Sequence, residues 1–429
     1  MGPADVAVVG AGYAGSAAAL FLTRLGHRVT VYEAVADPAP VGAGILLQPS
    51  GMLVLARLER ALAGVGDGGD GASKAPLARV LARGAVIDAL RCRTGDGRPL
   101  FELAYARLRG DLYGLGLHRG VLFQALFDAL QPAGVEVVLG CRVVALDGRR
   151  LVDDRGRLHG PHELVVVADG ARSELRAALF PEARDVPYPW GALWFVAADP
   201  AALFQRELLQ LVDGTRRMFG LLPTGQAPAR DVNLTSLFWS VRGSRVPVLK
   251  RRLRFVGLHL FRDWVCRMEP RAEPLVAQIE EPEQLLFASY RDVRMRRWYA
   301  LDRGVPVVVI GDAAHAMSPQ LGQGSNLALL DAMALAEALE EGTDLAEGLE
   351  RYQAARRAHL GFYQRINRWL TPFFQSDGVA LGWVRDLGLS AAASVPWIDR
   401  AMLETLSGVR RGFVRSRALD LPALPLPER

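Results

Sequence analysis

The stretch that decides the fold runs from Pro306 to Leu339 and reads PVVVIGDAAHAMSPQLGQGSNLALLDAMALAEAL. Its apolar run, Val307 to Ile310, stops at Gly311-Asp312, and after Pro319 a glycine-rich turn, Gly322-Gln323-Gly324, leads into a long apolar helical pattern. A short β-branched run ending at a carboxylate, with glycines ahead of a helix, reads as a strand end aimed at a polar ligand. The same letters also fit a plain strand-turn-helix junction with Asp312 capping a helix. The rest of the chain discriminates between them.

A second junction lies near the start, in VAVVGAGYAGSAAALFLTRLGHRVTVYEA, Val6 to Ala34. Gly10, Gly12 and Gly15 spell G-x-G-x-x-G between a strand and a helix. The first glycine allows the tight turn, the second lets backbone approach a pyrophosphate, and the third lets helix and strand pack closely. The helix N-terminus adds unpaired N–H groups and partial positive charge. Glu33 ends the next strand, about 20 residues on, where a carboxylate grips ribose hydroxyls and disfavours a 2′-phosphate. An adenine dinucleotide binds here on this reading, either NAD or FAD. Asp312 separates the two. A strand-end carboxylate offers an acceptor for sugar-chain hydroxyls, and the glycine turn offers donors for ring carbonyls. FAD has both a ribityl chain and a carbonyl-bearing ring, whereas the second half of NAD has no ribityl.

The 429 residues carry a net charge of +5, 50% hydrophobic and 23% charged residues, which suits a large packed core. The positive charge is arginine: Lys74 and Lys250 are the only lysines, and no basic block with interleaved aromatics points to nucleic acid. Cys92, Cys141 and Cys266 are odd in number and far apart, without metal-ligand spacing, so free thiols in a reducing cytoplasm and no metal site are expected. No basic region precedes an apolar segment at the N-terminus, and the long uncharged runs are broken by glycines and prolines. The expectation is a soluble cytoplasmic protein without signal peptide or membrane span.

The fold class expected is α/β: a Rossmann-like FAD-binding domain with an inserted antiparallel β-sheet substrate domain and C-terminal helices. Residues 1–80, 106–185 and 300–345 are expected to form the FAD-binding domain, and 81–105 and 186–299 the substrate domain. Residues 346–418 are expected to be helical and 419–429 a disordered tail. Glycine-rich GVGDGGDGASKAP before Leu77 reads as a mobile surface excursion. Val135–Leu146 and Arg150–Leu158 read as a hairpin; Trp190–Val196, Leu208–Asp213, Met218–Leu222 and Asn233–Val241 read as sheet strands, and Val248–Ile279 as largely helical.

GDAAHAMSP followed by GQGSN and LLDA resembles the second flavin motif of the para-hydroxybenzoate hydroxylase-like (group A) FAD monooxygenases. VVVADGARSELR, Val165 to Arg176, is similar to that family's middle motif, HRGVLFQAL to its arginine-led helix, and GAGILLQPSG, Gly42 to Gly51, to the segment beside the flavin. RINRWLTPFFQSDGVALGWVRDLGL, Arg365 to Leu389, most resembles the ubiquinone-biosynthesis branch. The resemblance implies a cofactor set of Gly10, Gly12, Ala14, Gly15, Glu33, Ala34, Gly44, Ile45, Arg119, Asp169, Gly170, Arg176, Gly311, Asp312, Pro319, Gly322, Gly324, Ser325 and Asn326. Pro319, Gly322, Gln323 and Gly324 would border the flavin ring, while Ser50 stands where the family often has Asn. It further implies NADH or NADPH as transient reductant and hydroxylation through a flavin C4a-hydroperoxide. The substrate would be a small hydrophobic aromatic or polycyclic molecule, oxidised by O2. Trp194, Phe219, Leu221, Phe238 and Trp239 are candidates for its pocket, each also readable as sheet core. His315 directly follows the motif and reads as scaffold rather than catalyst.

Three alternatives carry less. A flavin halogenase would need a W-x-W-x-I-P segment, which is absent. A flavin dehydrogenase or reductase without oxygen insertion shares the motifs. A non-catalytic FAD-binding protein would use Trp369, Phe373, Phe374 and Trp383 for peripheral membrane or partner contact, although such aromatics are commonly helix-packing core. The oligomeric state has no signal in the sequence.

Overall fold

The computed structural model describes residues 2–39, 42–63, 75–413, 421 and 423. The glycine-rich excursion, Lys74 and most of the expected tail lie outside the described residues.

The strand Asp5–Val9 is the centre of a six-stranded sheet, flanked in parallel by Leu164–Val167 and Arg28–Glu33. Val307–Val309 lies parallel beyond Leu164–Val167, and Glu136–Leu139 beyond Arg28–Glu33, while Tyr299–Ala300 closes one edge antiparallel. Leu164–Val167, Val307–Val309 and residues 6–9 are buried, valine-rich runs, as inner strands of a parallel sheet require. The helix Tyr13–Arg24 covers one face with Ala17, Ala18, Leu20 and Leu22. Its alanines let it approach closely, and Gly26, at φ 88°, turns the chain back into Arg28–Glu33.

The distant stretch Pro306–Leu339 therefore lies two strands from Gly10, because Val307–Val309 joins the same sheet through Leu164–Val167. All three motif strands end at the same sheet edge, the position from which open α/β sheets bind ligands.

A nine-stranded sheet runs Leu286–Arg294, Arg184–Ala198, Arg230–Arg242, Arg217–Ala227, Arg206–Asp213, Ala85–Thr94, Gly114–His118, Gly44–Leu47, with Pro99–Ala104 paired to Ala85–Thr94. Gly44–Leu47 and Gly114–His118 thus leave the dinucleotide side and hydrogen-bond into this larger sheet. Helices at Val246–Val256 and His259–Met268, with the turns to Val276, cover its outer face. Leu193, Phe219, Leu221, Leu237 and Trp239 fill that layer. Phe238, Leu222 and Ala192 face the other way and share the core of the dinucleotide side. A 30-residue helix, Leu345–Phe374, then Val379–Ala393 and Pro396–Leu406 complete the chain's described body.

One expectation needs correction. Val135–Leu146 is not one hairpin arm: Gly140, at φ 64°, breaks it. Glu136–Leu139 joins the parallel sheet, and Val143–Asp147, Arg150–Asp153 and Leu158–His159 form a separate three-stranded meander.

Candidate active site

The three glycines of the first junction do different work. A Cβ on Gly15 would stand 1.9 Å from the Gly10 carbonyl oxygen, and one on Gly10, at φ 100°, 2.6 Å from the Ala168 oxygen. A Cβ on Gly12 would meet nothing within 4 Å. Gly10 and Gly15 are packing glycines, and Gly12 looks onto open space. Gly12 also caps the helix Tyr13–Arg24 with no side-chain hydrogen bond and no acid in the first turn, so its N–H groups remain for an outside acceptor. Glu33 accepts from the Ala11 N–H (2.8 Å) and the Val35 N–H (2.8 Å), which fixes the carboxylate beside that space, next to exposed Ala34. Ala14 is buried under the turn.

Asp312 heads the short helix Asp312–His315, with Gly311 at φ 61° behind it. The side chain is open to solvent at its own surface but enclosed by protein at longer range. That desolvation pushes its carboxyl up, opposed by the charges of His315 and Arg119. Gly324 faces it: a Cβ there would come 3.9 Å from Asp312 Oδ1. Gly322 is left-handed at φ 61° with open space beside it, and Ser325 is half-buried in the first turn of the helix Gly324–Glu341. That turn again lacks an acid or a side-chain cap. Pro319 is exposed at the start of the preceding turn, Pro319–Leu321. Exposed Arg119 stands at the same mouth, its side-chain stem against Gly42 and its carbonyl accepting from the Tyr13 hydroxyl at 2.9 Å.

Other expected ligands lie beside the cleft with their side chains already committed. Asn326 is fully buried: its Oδ1 accepts from the Gln48 N–H (2.8 Å), and its Nδ2 donates to the Leu46 (3.2 Å) and Gly322 (3.3 Å) carbonyls. It ties the strand Gly44–Leu47, with half-buried Ile45, to the glycine turn. Gly44 itself fits under Thr224 and Ser236, whose side chains a Cβ would overlap. Arg176 is 1% exposed and donates to the Ala313 (2.9 Å) and Ala171 (3.1 Å) carbonyls and to Asp185 (2.5 Å). It pins the middle motif to both the Asp312 helix and the large sheet. In the same motif Gly170, at φ 84°, has open space, and buried Asp169 Oδ1 has no partner. Desolvation pushes the Asp169 carboxyl up, opposed by Ser173.

The five pocket candidates are not brought together. Phe219 pairs with Trp239 and Leu221 with Leu237 across the sheet, and Phe219, Leu221 and Trp239 lie under the outer helices, 0%, 0% and 6% exposed. Side chains alternate along a strand, so their neighbours in sequence face the cleft. Phe238 does, with the Trp194 ring tilted against it at a centroid distance of 5.3 Å and Trp194 Nε1 donating to the Tyr290 hydroxyl at 3.2 Å. The helix Leu345–Phe374 and its C-cap Gln375 bring residues that sequence reasoning missed. Asn367, Thr371 and Gln375, spaced by four, are all buried. Asn367 Nδ2 donates to Ser318 Oγ (3.0 Å), and Gln375 Nε2 to Ser240 Oγ (3.2 Å) on the sheet. Asn367 Oδ1 and Gln375 Oε1 have no partner.

The structure also gathers Cys141, Asp153 and His159 within 4.8 Å, a grouping the sequence spacing concealed. Asp153 there accepts from the Arg155 and Arg157 backbone and the Arg157 side chain, anchoring its hairpin.

Comparison with known proteins agrees with this geometry. The family profile described as FAD dependent oxidoreductase matches residues 5–45, and that described as FAD binding domain matches residues 269–361. The chain is 31% identical over 387 residues to kynurenine 3-monooxygenase of Xanthomonas campestris pv. campestris, covering 85% of this chain and 78% of the relative. It belongs to the para-hydroxybenzoate hydroxylase-like FAD monooxygenases. This monooxygenase is also 28% identical to a probable 2-heptyl-3-hydroxy-4(1H)-quinolone synthase of Rhodococcus erythropolis, over 84% of the chain and 86% of the relative. Its fold matches Klebsiella pneumoniae HpxO, solved with FAD and uric acid, at a TM-score of 0.73 with 19% identity, covering 94% of this chain and 97% of that one. Its cofactor is FAD and its co-substrates are NAD(P)H and O2; a dehydrogenase without oxygen insertion is not favoured. Among the described residues no helix is long and apolar enough to cross a membrane.

The residues present fit FAD. Open space over Gly12, two uncapped helix N-termini and an unpartnered Asp169 oxygen are the complements of a pyrophosphate, a sugar chain and a polar ring.

Proposed function

We propose that this monooxygenase hydroxylates an uncharged aromatic or polycyclic molecule that carries an N–H or O–H group. The observation that carries the reading is the pair of buried amide oxygens, Asn367 Oδ1 and Gln375 Oε1, without donors, with Gln375 tied to Ser240 on the strand that also carries Phe238. A buried acceptor left alone costs about 1–3 kcal/mol, so a substrate donor that satisfies it is favoured by a comparable amount. Amide acceptors pair with an N–H or O–H donor and disfavour a carboxylate, and aromatic walls favour a flat ring. Relatives named for kynurenine and for a 4(1H)-quinolone support an aromatic substrate.

In this reading the amides at Gly12 and beyond hold the pyrophosphate, Glu33 the ribose, and Asp312 the ribityl hydroxyls. Arg119 neutralises phosphate charge, and the amides of Gly322–Gly324 stabilise negative charge on the reduced ring. Arg176 and Asn326 position these segments through the bonds given above. Bound FAD supplies the reductive and oxygen-transfer chemistry, and the protein orients the substrate and keeps water away. Segments 1–80, 106–185 and 300–345 would serve FAD, and 81–105 and 186–299 the substrate. The cytoplasm as compartment is supported by three unpaired cysteines. Peripheral membrane contact is supported by Trp369, Trp383, Leu387 and Trp397, which are 60–77% exposed.

The test is a purified, FAD-loaded enzyme assayed for NADH and NADPH oxidation with neutral phenols, anilines and quinolones beside their carboxylated analogues, with mass analysis for one added oxygen. Neutral donor-bearing rings should turn over and their N- or O-methylated forms should lose about ten-fold or more, the equivalent of one hydrogen bond. A preference for carboxylates sinks the substrate assignment, and a colourless protein that FAD does not reconstitute sinks the whole reading.

A further inference from the structure

Behind the cleft, a line of buried side chains joins its two ends. Asp331, on the helix Gly324–Glu341, is fully buried and accepts on both oxygens: Oδ2 from the Gly311 N–H (2.8 Å) and His315 Nε2 (2.5 Å), Oδ1 from Arg356 Nε (2.8 Å). Burial alone would push its carboxyl up, but His315 and Arg356 hold it well below the usual range. Arg356, on the helix Leu345–Phe374, also donates to the Leu327 carbonyl (3.3 Å) and to His359 Nδ1 (2.6 Å). A guanidinium has no acceptor, so Nδ1 must accept and the ring hydrogen resides on Nε2. Nε2 points at the Gly408 carbonyl oxygen, 3.1 Å away. Burial, with Arg356 beside it, lowers His359 to about 3 and keeps it neutral.

Gly408 lies against the flavin side of the molecule. A Cβ there would come 1.9 Å from Ser50 Oγ and 3.1 Å from Gln323 Oε1. The Ser50 N–H donates to the Ser407 carbonyl (3.2 Å), and Gln323 Nε2 to the Leu406 carbonyl (2.6 Å). The turn after the last helix is thus pressed onto the two segments that flank the ring.

We infer that His359 is a positioning residue: with Asp331 and Arg356 it forms a buried hydrogen-bond chain of fixed direction that couples the Gly311–Asp312 end of the site to the Gly322–Gly324 end and sets where the flavin ring rests. This rests on the placement of FAD proposed above. The C-terminal turn is then a wall of the flavin site, and the chain links the ribityl anchor to that wall through residues that touch no ligand.

Two substitutions divide the chain. His359→Gln keeps a donor toward Gly408 and loses the acceptor for Arg356; His359→Asn keeps the acceptor and loses the donor. Gly408→Ala displaces the turn without touching a buried charge. FAD is titrated into each apoprotein by fluorescence, the visible spectrum of bound flavin is recorded, and flavin reduction by NADPH is followed by stopped flow. Expected for His359→Asn and Gly408→Ala are an FAD dissociation constant within about three-fold of wild type, a bound-flavin spectrum moved toward that of free FAD, and reduction slowed about ten-fold. His359→Gln should restore most of the wild-type spectrum. A wild-type spectrum and reduction rate in both His359→Asn and Gly408→Ala, or equal loss in His359→Gln and His359→Asn tracking only thermal stability, overturns the inference. Wild-type protein that binds no FAD overturns instead the function proposed above.

Discussion

Gly12→Ala and Gly15→Ala differ by one methyl three residues apart, and the structure assigns them opposite consequences. Gly12 has φ −69° and ψ −176°, open to any L residue, and its Cβ would meet nothing within 4 Å. The apoprotein should lose at most about 1 kcal/mol, the preference of a helix cap for Gly over Ala. The new methyl points into the space assigned to the pyrophosphate. Displacing one charge-assisted hydrogen bond costs about 1.5–3 kcal/mol, which weakens FAD roughly ten- to hundred-fold. Gly15→Ala puts a methyl 1.9 Å from the Gly10 carbonyl oxygen, a backbone atom with no rotamer to yield. The helix must lift from the strand at a cost of about 1–3 kcal/mol, and the turn assigned to the phosphates goes with it. Thermal melts of the apoproteins and FAD titration by flavin fluorescence separate the two. Gly12→Ala should melt like wild type and bind FAD poorly, whereas Gly15→Ala should fail in both. A Gly12→Ala protein with wild-type FAD affinity, or one destabilised as much as Gly15→Ala, would refute the division between packing and binding glycines.

Three further outcomes follow from the same geometry. Because desolvation raises the Asp312 carboxyl above its ordinary 3.8, its contribution to apoprotein stability is present below that value and lost as pH rises. Asp312→Asn should therefore melt higher than wild type at pH 7 and equally at pH 3 without FAD, yet bind FAD more weakly; melts across pH decide it. Trp239→Ala should cost about 3–5 kcal/mol of stability in chemical denaturation, as a buried aromatic does, while Phe238→Ala should raise KM for the aromatic substrate with a smaller loss of stability. Asn326→Ala leaves the Gln48 N–H unpaired and frees the glycine turn, so FAD affinity and stability should fall together, by about 1–3 kcal/mol in denaturation.

The dinucleotide half of the site was legible because its signals are local. A glycine that must be bare, an apolar run cut off at a carboxylate and a helix that starts without a cap each show in a dozen letters. Which face of the large sheet meets the flavin was not. Strand alternation fixes that Phe238 and Trp239 point apart, but only the helix that packs Phe261 against Trp239 says which points outward. Arg176 and Asn326 carry the family's motif positions, yet each also donates to a distant carbonyl, Ala313 and Leu46, 137 and 280 residues away, a fact no spacing encodes. The line from Asp331 to Gly408 was hidden for the same reason; within it His315, read as scaffold, bonds to Asp331. Asn367 and Gln375 sat within a stretch noted for its aromatics, and their spacing by eight, with Thr371 midway, was the available signal for a shared buried face.

The unpartnered oxygens of Asp169 and Gln323 and the uncapped helix ends bear on how this enzyme persists in a cell. A chain with such unmet groups is a weaker fold when empty, and FAD binds only the folded form. At a free FAD level about 1,000 times the dissociation constant, binding adds about 4.1 kcal/mol, a large part of the roughly 5–15 kcal/mol typical of a folded protein. Flavin supply then governs abundance as well as activity. Newly made chains that find no FAD fall to proteases first, so riboflavin starvation should remove this protein from the cell before it merely silences it.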